Sequence, residues 1–176
     1  MESFEFEGVT LIHTDARTID LPEDIAAVCT DPPYGISNNS DYSRFTSKSK
    51  NWGKQIVGDN EPFSPDWLLE YPKVCLWGFQ YFATSLPIGS TLVWIKKPEK
   101  AMGTFLSDAE LAWVKKGVGV YCFPHVWNGY HRASEKGKSL HPNQKPIALW
   151  EWVFDRMKLQ PGELVFDPYM GSGSCA

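Results

Sequence analysis

The chain has 176 residues, a net charge of −4 at neutral pH and 43% hydrophobic residues. This size and composition predict one folded domain with a substantial core, and they exclude both a disordered chain and a generally basic nucleic-acid binder. The four cysteines are far apart and form no Cys-x-x-Cys pair, which indicates a reducing compartment without a structural zinc site. No secretion signal or membrane-spanning run is recognisable, so we expect a cytoplasmic protein that holds no metal.

Two short apolar runs predict strands in the N-terminal part of the chain. Residues 10–13 form the first run, with Asp15 either at the strand tip or in a turn or helix cap. Residues 26–30 are typical of a buried strand, and Asp31-Pro32-Pro33-Tyr34-Gly35 follows them directly. Two consecutive prolines end the strand and leave carbonyl and carboxylate oxygens as acceptors. This corner suits a flat ligand that donates hydrogen bonds, such as a nucleobase amine, although a plain turn is the alternative.

Residues 37–58 form a polar segment that shows neither helical nor strand periodicity. Four basic residues against Asp41 give this segment a net charge of +3, and aromatic residues are interleaved with them. The composition predicts a mobile basic loop that contacts phosphates and stacks on bases, with a solvated surface loop as the alternative. The candidate nucleic-acid contacts in this loop are Arg44, Lys48, Lys50, Trp52 and Lys54.

Alternating helices and strands follow this segment, and their alternation predicts an α/β sheet. The spacing of Ser107 and Glu110 matches a capping box, which predicts a helix over residues 107–116. The other expected elements are a short helix at 65–70, a strand at 73–77, a helix at 79–86, a strand at 91–96 and a strand-rich segment at 118–127.

A second polar segment covers residues 128–138, where three basic residues against Glu135 give a net charge of +2. We interpret this segment as a second candidate nucleic-acid surface, with an ordinary surface loop as the alternative. Its candidate contacts are His131, Arg132, Lys136 and Lys138.

The C-terminal part combines a helix, a strand and a glycine loop. A helix is predicted from Pro146 onward, because apolar residues recur there at helical spacing. Residues 163–166 predict the last strand, and Asp167-Pro-Tyr-Met-Gly-Ser-Gly-Ser follows its carboxyl end. Glycines in such a loop let backbone amides approach a ligand, while the lack of a Gly-x-x-x-x-Gly-Lys motif argues against NTP hydrolysis. The expected apolar helix face is Ile147, Trp150, Val153, Phe154 and Met157.

Three motifs taken together resemble one family. Asp31-Pro-Pro-Tyr, His141-Pro-Asn-Gln-Lys-Pro and Asp167-Pro-Tyr-Met-Gly-Ser-Gly-Ser, in this order, are similar to the DNA amino-methyltransferases, and the resemblance covers residues 11–176. The catalytic motif precedes the cofactor loop, which is typical of the β class. The resemblance implies one methyltransferase domain over residues 1–176, of α/β class, with a Rossmann-like sheet, circularly permuted motif order and an incomplete C-terminus.

The resemblance also implies roles for the motif residues. Asp31 and the Pro32 carbonyl would accept hydrogen bonds from the target amine, and Tyr34 would stack on the base, with Pro33 completing the catalytic motif. The amine would attack the methyl group of S-adenosylmethionine by direct displacement, without a covalent enzyme intermediate. The expected cofactor contacts are Asp15 at the adenine ring, Asp31, His141, Lys145, Asp167, Pro168, Tyr169, Gly171 and Gly173.

The implied substrate is the N6 amine of adenine in double-stranded DNA, reached by base flipping. In the family, Asp-Pro-Pro-Tyr is more typical of adenine enzymes and Ser-Pro-Pro-Tyr of cytosine-N4 enzymes, so cytosine is an alternative target. The Asn-Pro-Pro-Tyr typical of protein glutamine methyltransferases is absent. Residues 122–140 are the expected target-recognition segment, which shares this role with residues 37–58. The resemblance further implies a bacterial or phage-type enzyme of DNA methylation and restriction–modification.

Members of the family continue past the glycine loop with a helix and a strand whose acidic end binds the cofactor ribose, whereas this chain stops at Ala176. We therefore expect an incomplete cofactor site and an exposed sheet edge that promotes homodimer formation. The main alternative function is an inactive remnant that keeps the fold and the affinity for DNA. Methylation of an amine on RNA or protein is a third hypothesis.

Overall fold

The computed structural model describes residues 2–37, 56–127, 132–135 and 144–176. The strands are β1 (Glu2–Phe6), β2 (Val9–His13), β3 (Ile25–Thr30), β4 (Lys73–Trp77), β5 (Gly89–Ile95), β6 (Ala109–Pro124) and β7 (Leu164–Phe166), and the helix is α1 (Ile147–Met157). Five strands form a central sheet in the order β5-β6-β4-β3-β7, while β1 and β2 form a separate two-stranded sheet. The predicted α/β class is confirmed.

The carboxyl ends of four strands lie at one edge of the central sheet. Strands β4, β3 and β7 run parallel, and β4 pairs antiparallel with residues 112–114 of β6. β5 also pairs with this part of β6 in descending register, from Ser90 with Val114 to Ile95 with Ala109. β5 therefore points in the same direction as β4, and the amino end of β6 lies at the shared edge. In open α/β sheets, ligands bind at this edge.

β6 occupies two positions in the sheet, one on each side of β5. Residues 109–116 run antiparallel to β5, whereas residues 120–124 pair with residues 91–95 in ascending register. The chain reverses between these two parts at Lys116 and Gly117, which both have positive φ. A Cβ atom on Gly117 would lie 2.5 Å from Ser90 Oγ. A glycine is therefore required where the chain crosses the start of β5.

The helix predicted over residues 107–116 is wrong, because this segment enters the sheet between β4 and β5. Backbone pairing on both sides and the burial of Ala112 and Trp113 outweigh a capping interaction worth about 1 kcal/mol. Glu110 caps no helix; its carboxylate accepts a hydrogen bond from Lys96 Nζ at 2.6 Å. The strand-rich segment predicted over residues 118–127 is confirmed as far as residue 124.

The predicted strand at residues 10–13 forms as part of β2, but it lies outside the central sheet. β2 pairs antiparallel with β1, and both strands are largely exposed. Asp15 follows β2 and caps a 3₁₀ turn, where its carboxylate accepts a hydrogen bond from the Arg17 N–H at 3.1 Å. The cap is the alternative that the sequence left open.

Only one α-helix occurs among the described residues. The segments predicted as helices at 65–70 and 79–86 contain 3₁₀ turns at Asp66–Leu68, Phe79–Tyr81 and Ala83–Ser85. Pro65 and Pro72 bound the first segment and Gly78 and Pro87 bound the second, which keeps any helix there short. No helix in the described part of the chain is long and apolar enough to cross a membrane.

Helix α1 covers one face of the central sheet. It buries Leu149, Trp150, Val153 and Met157 in a cluster with Trp77 and Trp94 of the strands, and each large side chain contributes about 1.5–3 kcal/mol. The predicted apolar face is confirmed at its centre but not at its rim, since 51% of Ile147 is exposed and Phe154 is only partly buried. Leu68 and Phe82 pack with Val28, Val74 and Leu76 in a second cluster.

Candidate functional site

A cavity of about 460 Å³ opens at the carboxyl edge of the sheet. This volume lies within the range of about 300–1,000 Å³ that is usual for small-molecule sites. The walls come from the loop after β3, from residues 56–59, from the approach to α1 and from the glycine loop after β7. The lining residues that define the chemistry are Asp31, Tyr34, Asp59, Lys145, Asp167 and Gly171.

Asp31 has both carboxylate oxygens engaged. Oδ1 accepts a hydrogen bond from the Tyr34 hydroxyl, and Oδ2 accepts one from the Lys145 ammonium group. Burial and then the neighbouring Asp31 raise the pKa of Tyr34 well above its usual value, so the hydroxyl stays protonated and donates. A carboxylate has about four lone-pair positions, and the Asp31 side chain is 20% exposed. Asp31 can therefore accept a further donor from a ligand.

Lys145 connects Asp31 to a second carboxylate. Its Nζ lies 3.2 Å from Glu110 Oε2, and Glu110 Oε1 lies 2.6 Å from Lys96 Nζ. Burial alone would lower the pKa of Lys145, but Asp31 and Glu110 outweigh burial and raise this pKa. Burial would likewise raise the pKa of Glu110, yet Lys145 and Lys96 lower it to about 2. Lys96, Glu110, Lys145 and Asp31 thus form a row of alternating charge.

The Tyr34 ring lies close to two residues that follow β4. It stacks on Tyr81, with ring centroids 5.0 Å apart and planes 18° from parallel. A Cβ atom on Gly78 would lie 2.0 Å from Tyr34 Cε1, and Gly78 has a φ of 71°. Glycine is therefore required at residue 78 by both the backbone conformation and the close approach of the ring.

The glycine loop after β7 forms another wall of the cavity. Asp167 Oδ1 accepts hydrogen bonds from the Thr30 hydroxyl at 2.6 Å and from the Tyr169 N–H at 3.1 Å. Burial raises the pKa of Asp167 to about 6, against the opposing effect of these two hydrogen bonds. Gly171 and Gly173 both have positive φ, which glycine adopts without strain. The sequence thus placed an anionic residue and a tightly turning backbone correctly at one strand end.

The structure brings most of the predicted catalytic and cofactor-binding residues to this one cavity. Asp15 is absent from the lining and pairs with Arg17 at 2.6 Å, and His13 lines the cavity instead. Gly173 belongs to the same loop as the lining residues. The predicted residues that line the cavity are Asp31, Pro32, Pro33, Tyr34, Lys145, Asp167, Pro168, Tyr169 and Gly171.

Other predicted residues lie outside the part of the chain that the structure describes, and their roles stay predictions. Arg132 is described, and its guanidinium lies 4.4 Å from the centroid of the Trp127 ring. Among the described residues, no cluster of histidine, cysteine and acidic side chains could hold a metal ion. The predicted residues outside the described ranges are His141, Arg44, Lys48, Lys50, Trp52, Lys54, His131, Lys136 and Lys138.

Sequence reasoning missed three residues of the site. The sequence pattern places Glu110 in a helix cap. In the structure the segment is a strand, and this strand brings Glu110 to Lys145. Tyr81 lies just after the end of β4, and this position at a strand end is the sequence signal that could have indicated a place at the site. Asp59 is buried and accepts three backbone hydrogen bonds from the turn after Pro33, but nothing in its local sequence distinguishes it from an exposed loop residue.

The sheet, the Asp-Pro-Pro-Tyr corner and the glycine loop meet at one cavity, as the resemblance to the α/β methyltransferases implies. The chain is similar to the crystal structure of the M1.HpyAVI–SAM complex, with 21% sequence identity, coverage of 86% of this chain and 75% of that chain, and a TM-score of 0.45. Residues 87–176, just over half of the chain, match the family model for DNA methylases of the N6/N4 type. The chain therefore belongs to the DNA methylase family.

Proposed function

We propose that this chain transfers a methyl group from S-adenosylmethionine to the exocyclic N6 amine of adenine in double-stranded DNA. S-adenosylmethionine is the methyl donor of the family. The observation that carries the proposal is that the Asp31 carboxylate and the glycine loop with Asp167 line a single cavity. Direct displacement requires the two reacting atoms to be held about 3–3.5 Å apart, so acceptor and donor sites must share one space.

The glycine loop fits the amino-acid end of the cofactor. Asp167 supplies a carboxylate whose charge is destabilised by burial, as its raised pKa of about 6 indicates. A ligand ammonium group would stabilise that charge, and Gly171 presents backbone without a side chain to the same cavity. When bound, S-adenosylmethionine supplies an electrophilic sulfonium methyl group.

Asp31 and Pro32 orient the target amine. The Asp31 carboxylate and the Pro32 carbonyl accept its two hydrogens, and the nitrogen lone pair then faces the methyl group. As the new carbon–nitrogen bond forms and the carbon–sulfur bond breaks, the nitrogen gains positive charge, which a fixed carboxylate stabilises. One amine proton then passes to solvent, and the methylated amine is neutral again. No side chain needs to act as a covalent nucleophile.

Tyr34 and Tyr81 form an aromatic wall for the flipped base. Taking a base out of the duplex costs a few kcal/mol, whereas stacking a base on an aromatic side chain contributes about 1–3 kcal/mol. The stacked tyrosine pair can therefore offset a large part of the flipping cost. Base flipping itself remains part of the proposal.

Replacing Gly78 with alanine should damage this wall. The new Cβ would meet the Tyr34 ring at 2.0 Å, so the ring must move, and we expect kcat to fall about tenfold. Gly103→Ala is the matched control, because Gly103 has a similar φ of 74° but no atom within 4 Å of the added Cβ. Both variants carry a backbone cost of about 1–2 kcal/mol. Equal methyl-transfer rates in the two variants would contradict the role of the Tyr34 position.

Cofactor affinity should depend on pH through Asp167. The pKa of Asp167 in the folded protein is about 6, above the ordinary value of 3.8. Without cofactor, the folded state therefore binds this proton more tightly than the unfolded state does. The free energy of unfolding accordingly falls as pH rises from about 4 to 6. A cofactor ammonium group requires the ionised form. We expect the affinity measured by calorimetry to fall about tenfold per pH unit below pH 6. Asp167→Asn should bind more weakly and without this dependence; the same slope in both proteins would exclude the contact.

The proposed reaction is tested by incubating the protein with labelled S-adenosylmethionine and duplex DNA, then separating the digested nucleosides. We expect label in N6-methyladenine. Label in N4-methylcytosine would establish the alternative target, and transfer to RNA or protein in a competition assay would establish the third hypothesis. Binding of DNA without binding heat for the cofactor would show that the chain is an inactive remnant.

We further propose that copies of the chain associate through an exposed sheet edge. In the described residues, β7 pairs with β3 on one side, and unpaired strand edges promote association. A mass that rises with concentration in light scattering supports the homodimer, and a constant monomer mass contradicts it.

The four cysteines are all free thiols, which is consistent with the proposal that the protein acts in the reducing cytoplasm of a bacterium.

A further inference from the structure

Residues 58–62, which we call the brace, lie against the turn that follows the two catalytic prolines. A Cβ atom on Gly58 would be 3.4 Å from Pro33 Cγ, so the Gly58 backbone lies close to the Pro33 ring. A Cβ atom on Gly35 would be 2.5 Å from the Glu61 carbonyl oxygen. The turn is therefore packed closely against the brace along its length.

Asp59 is the polar centre of this contact. Its Oδ1 atom accepts hydrogen bonds from three successive backbone N–H groups, those of Tyr34 at 3.0 Å, Gly35 at 3.0 Å and Ile36 at 3.3 Å. Its carbonyl oxygen accepts a fourth, from the Ser37 N–H at 2.7 Å. Only 4% of Asp59 is exposed, so these hydrogen bonds end on acceptor atoms of a residue that is shielded from water.

The turn needs such a partner because its backbone is not intrinsically stable. Gly35 and Ser37 both have positive φ, of 74° and 50°, and conformations of this kind persist where surrounding contacts over-determine them. Three N–H groups converging on one point form a concave anion site of the nest type. Asp59 fills this site with a carboxylate from the same chain, and hydrogen bonds to a charged acceptor are about twice as strong as neutral ones.

Tyr34 connects Asp59 to Asp31 through hydrogen bonds at its two ends. The Tyr34 N–H is held by Asp59, and its hydroxyl is bonded to Asp31. A shift of the Tyr34 backbone would move the ring away from both Tyr81 and Asp31.

We propose that Asp59 is a positioning residue for methyl transfer. It fixes the turn at residues 34–36, and through that turn it sets the position of the Tyr34 ring and of the hydroxyl on Asp31. This inference rests on the proposed function, because Asp31 and Tyr34 carry the reaction there. Asp59 acts through Tyr34 and does not itself touch the amine or the methyl donor.

The experiment compares Asp59→Asn and Asp59→Ala with Asp108→Asn. Asp108 is the matched control, since it also accepts a backbone hydrogen bond, from the Gly103 N–H at 2.9 Å, and it lies outside the cavity lining. Misplacement of a reacting group by about 1 Å costs up to about 100-fold in rate. We expect kcat to fall about 100-fold in Asp59→Ala and about tenfold in Asp59→Asn, while the cofactor Kd changes less than about twofold and Asp108→Asn keeps the wild-type kcat.

Hydrogen exchange of the three amides gives a readout that does not depend on activity. In the full-length wild type, the amides of Tyr34, Gly35 and Ile36 should be protected, and Asp59→Asn should lose this protection while the amides of β3 keep theirs. Unchanged protection, or a kcat equal to that of Asp108→Asn, overturns the proposal. If the wild type transfers no methyl group, the proposed function fails, whereas loss of protection in Asp59→Asn would still support the fixing of the turn.

Discussion

Asp31→Asn is expected to reduce kcat by about 100-fold to 1,000-fold, the usual effect of removing one fixed group that stabilises charge in the transition state. The variant replaces an ionised acceptor with a neutral amide whose NH₂ group can only donate. The target amine would lose the negative charge opposite its developing positive charge, and only one side-chain oxygen would remain to accept hydrogen bonds. Single-turnover methyl transfer to duplex DNA measures this step directly.

The loss of activity in Asp31→Asn should greatly exceed its effect on the fold and on cofactor affinity. Lys145 keeps Glu110 as a partner at 3.2 Å, so its charge is not left alone when Asp31 is neutralised. Asp66→Asn is a suitable control, because Asp66 is an exposed carboxylate that accepts a hydrogen bond from Ser64 at 2.9 Å. If Asp31→Asn and Asp66→Asn transfer methyl groups equally fast, the proposed mechanism is wrong.

The position of the site followed from the sequence because it depends on local patterns. The apolar runs before Asp31 and Asp167 each predict a strand, and both strands form. Parallel strands place their carboxyl ends at one edge, so a prediction of two strands also predicts that the two motifs meet. The proline pair and the glycines add local constraints of their own.

The path of β6 did not follow from the sequence, because pairing between distant strands decides it. Residues 107–116 carry a capping-box pattern, but β4 and β5 offer hydrogen-bonding partners on both sides. A local sequence pattern cannot show that two distant strands leave a position between them for this segment to fill. The consequence reaches the site, because the strand brings Glu110 to within 3.2 Å of Lys145 Nζ.

The ion-pair partners of Lys145 could not be predicted from the local sequence either. The motif that contains Lys145 suggested a contact with the cofactor, while the structure shows its ammonium group on Asp31 and Glu110. An ion pair between residues 114 positions apart leaves no local pattern. In the proposed mechanism, Lys145 would therefore act on the acceptor side of the cavity, through the Asp31 carboxylate.

Lys145→Met should therefore impair both stability and catalysis. The substitution keeps a long side chain but removes a cation that is only 4% exposed, which leaves Asp31 without its main counter-charge. Breaking a buried pair costs about 3–5 kcal/mol. Since Asp31 is 20% exposed and Glu110 keeps Lys96, we expect a loss of about 2–3 kcal/mol in urea unfolding. Lys73→Met, which breaks the exposed pair with Glu163 at 3.1 Å, should cost less than about 1 kcal/mol.

A double-mutant cycle separates the ion pair from simple loss of packing. Combining Lys145→Met with Asp31→Asn removes both charges, so the double variant should recover most of the stability that Lys145→Met loses, while methyl transfer stays as low as in Asp31→Asn. Residues in direct contact typically show coupling of about 0.5–3 kcal/mol, and we expect a value in the upper half of that range. Additive effects would mean that Lys145 stabilises the protein by packing alone, and its role in holding Asp31 would have to be abandoned.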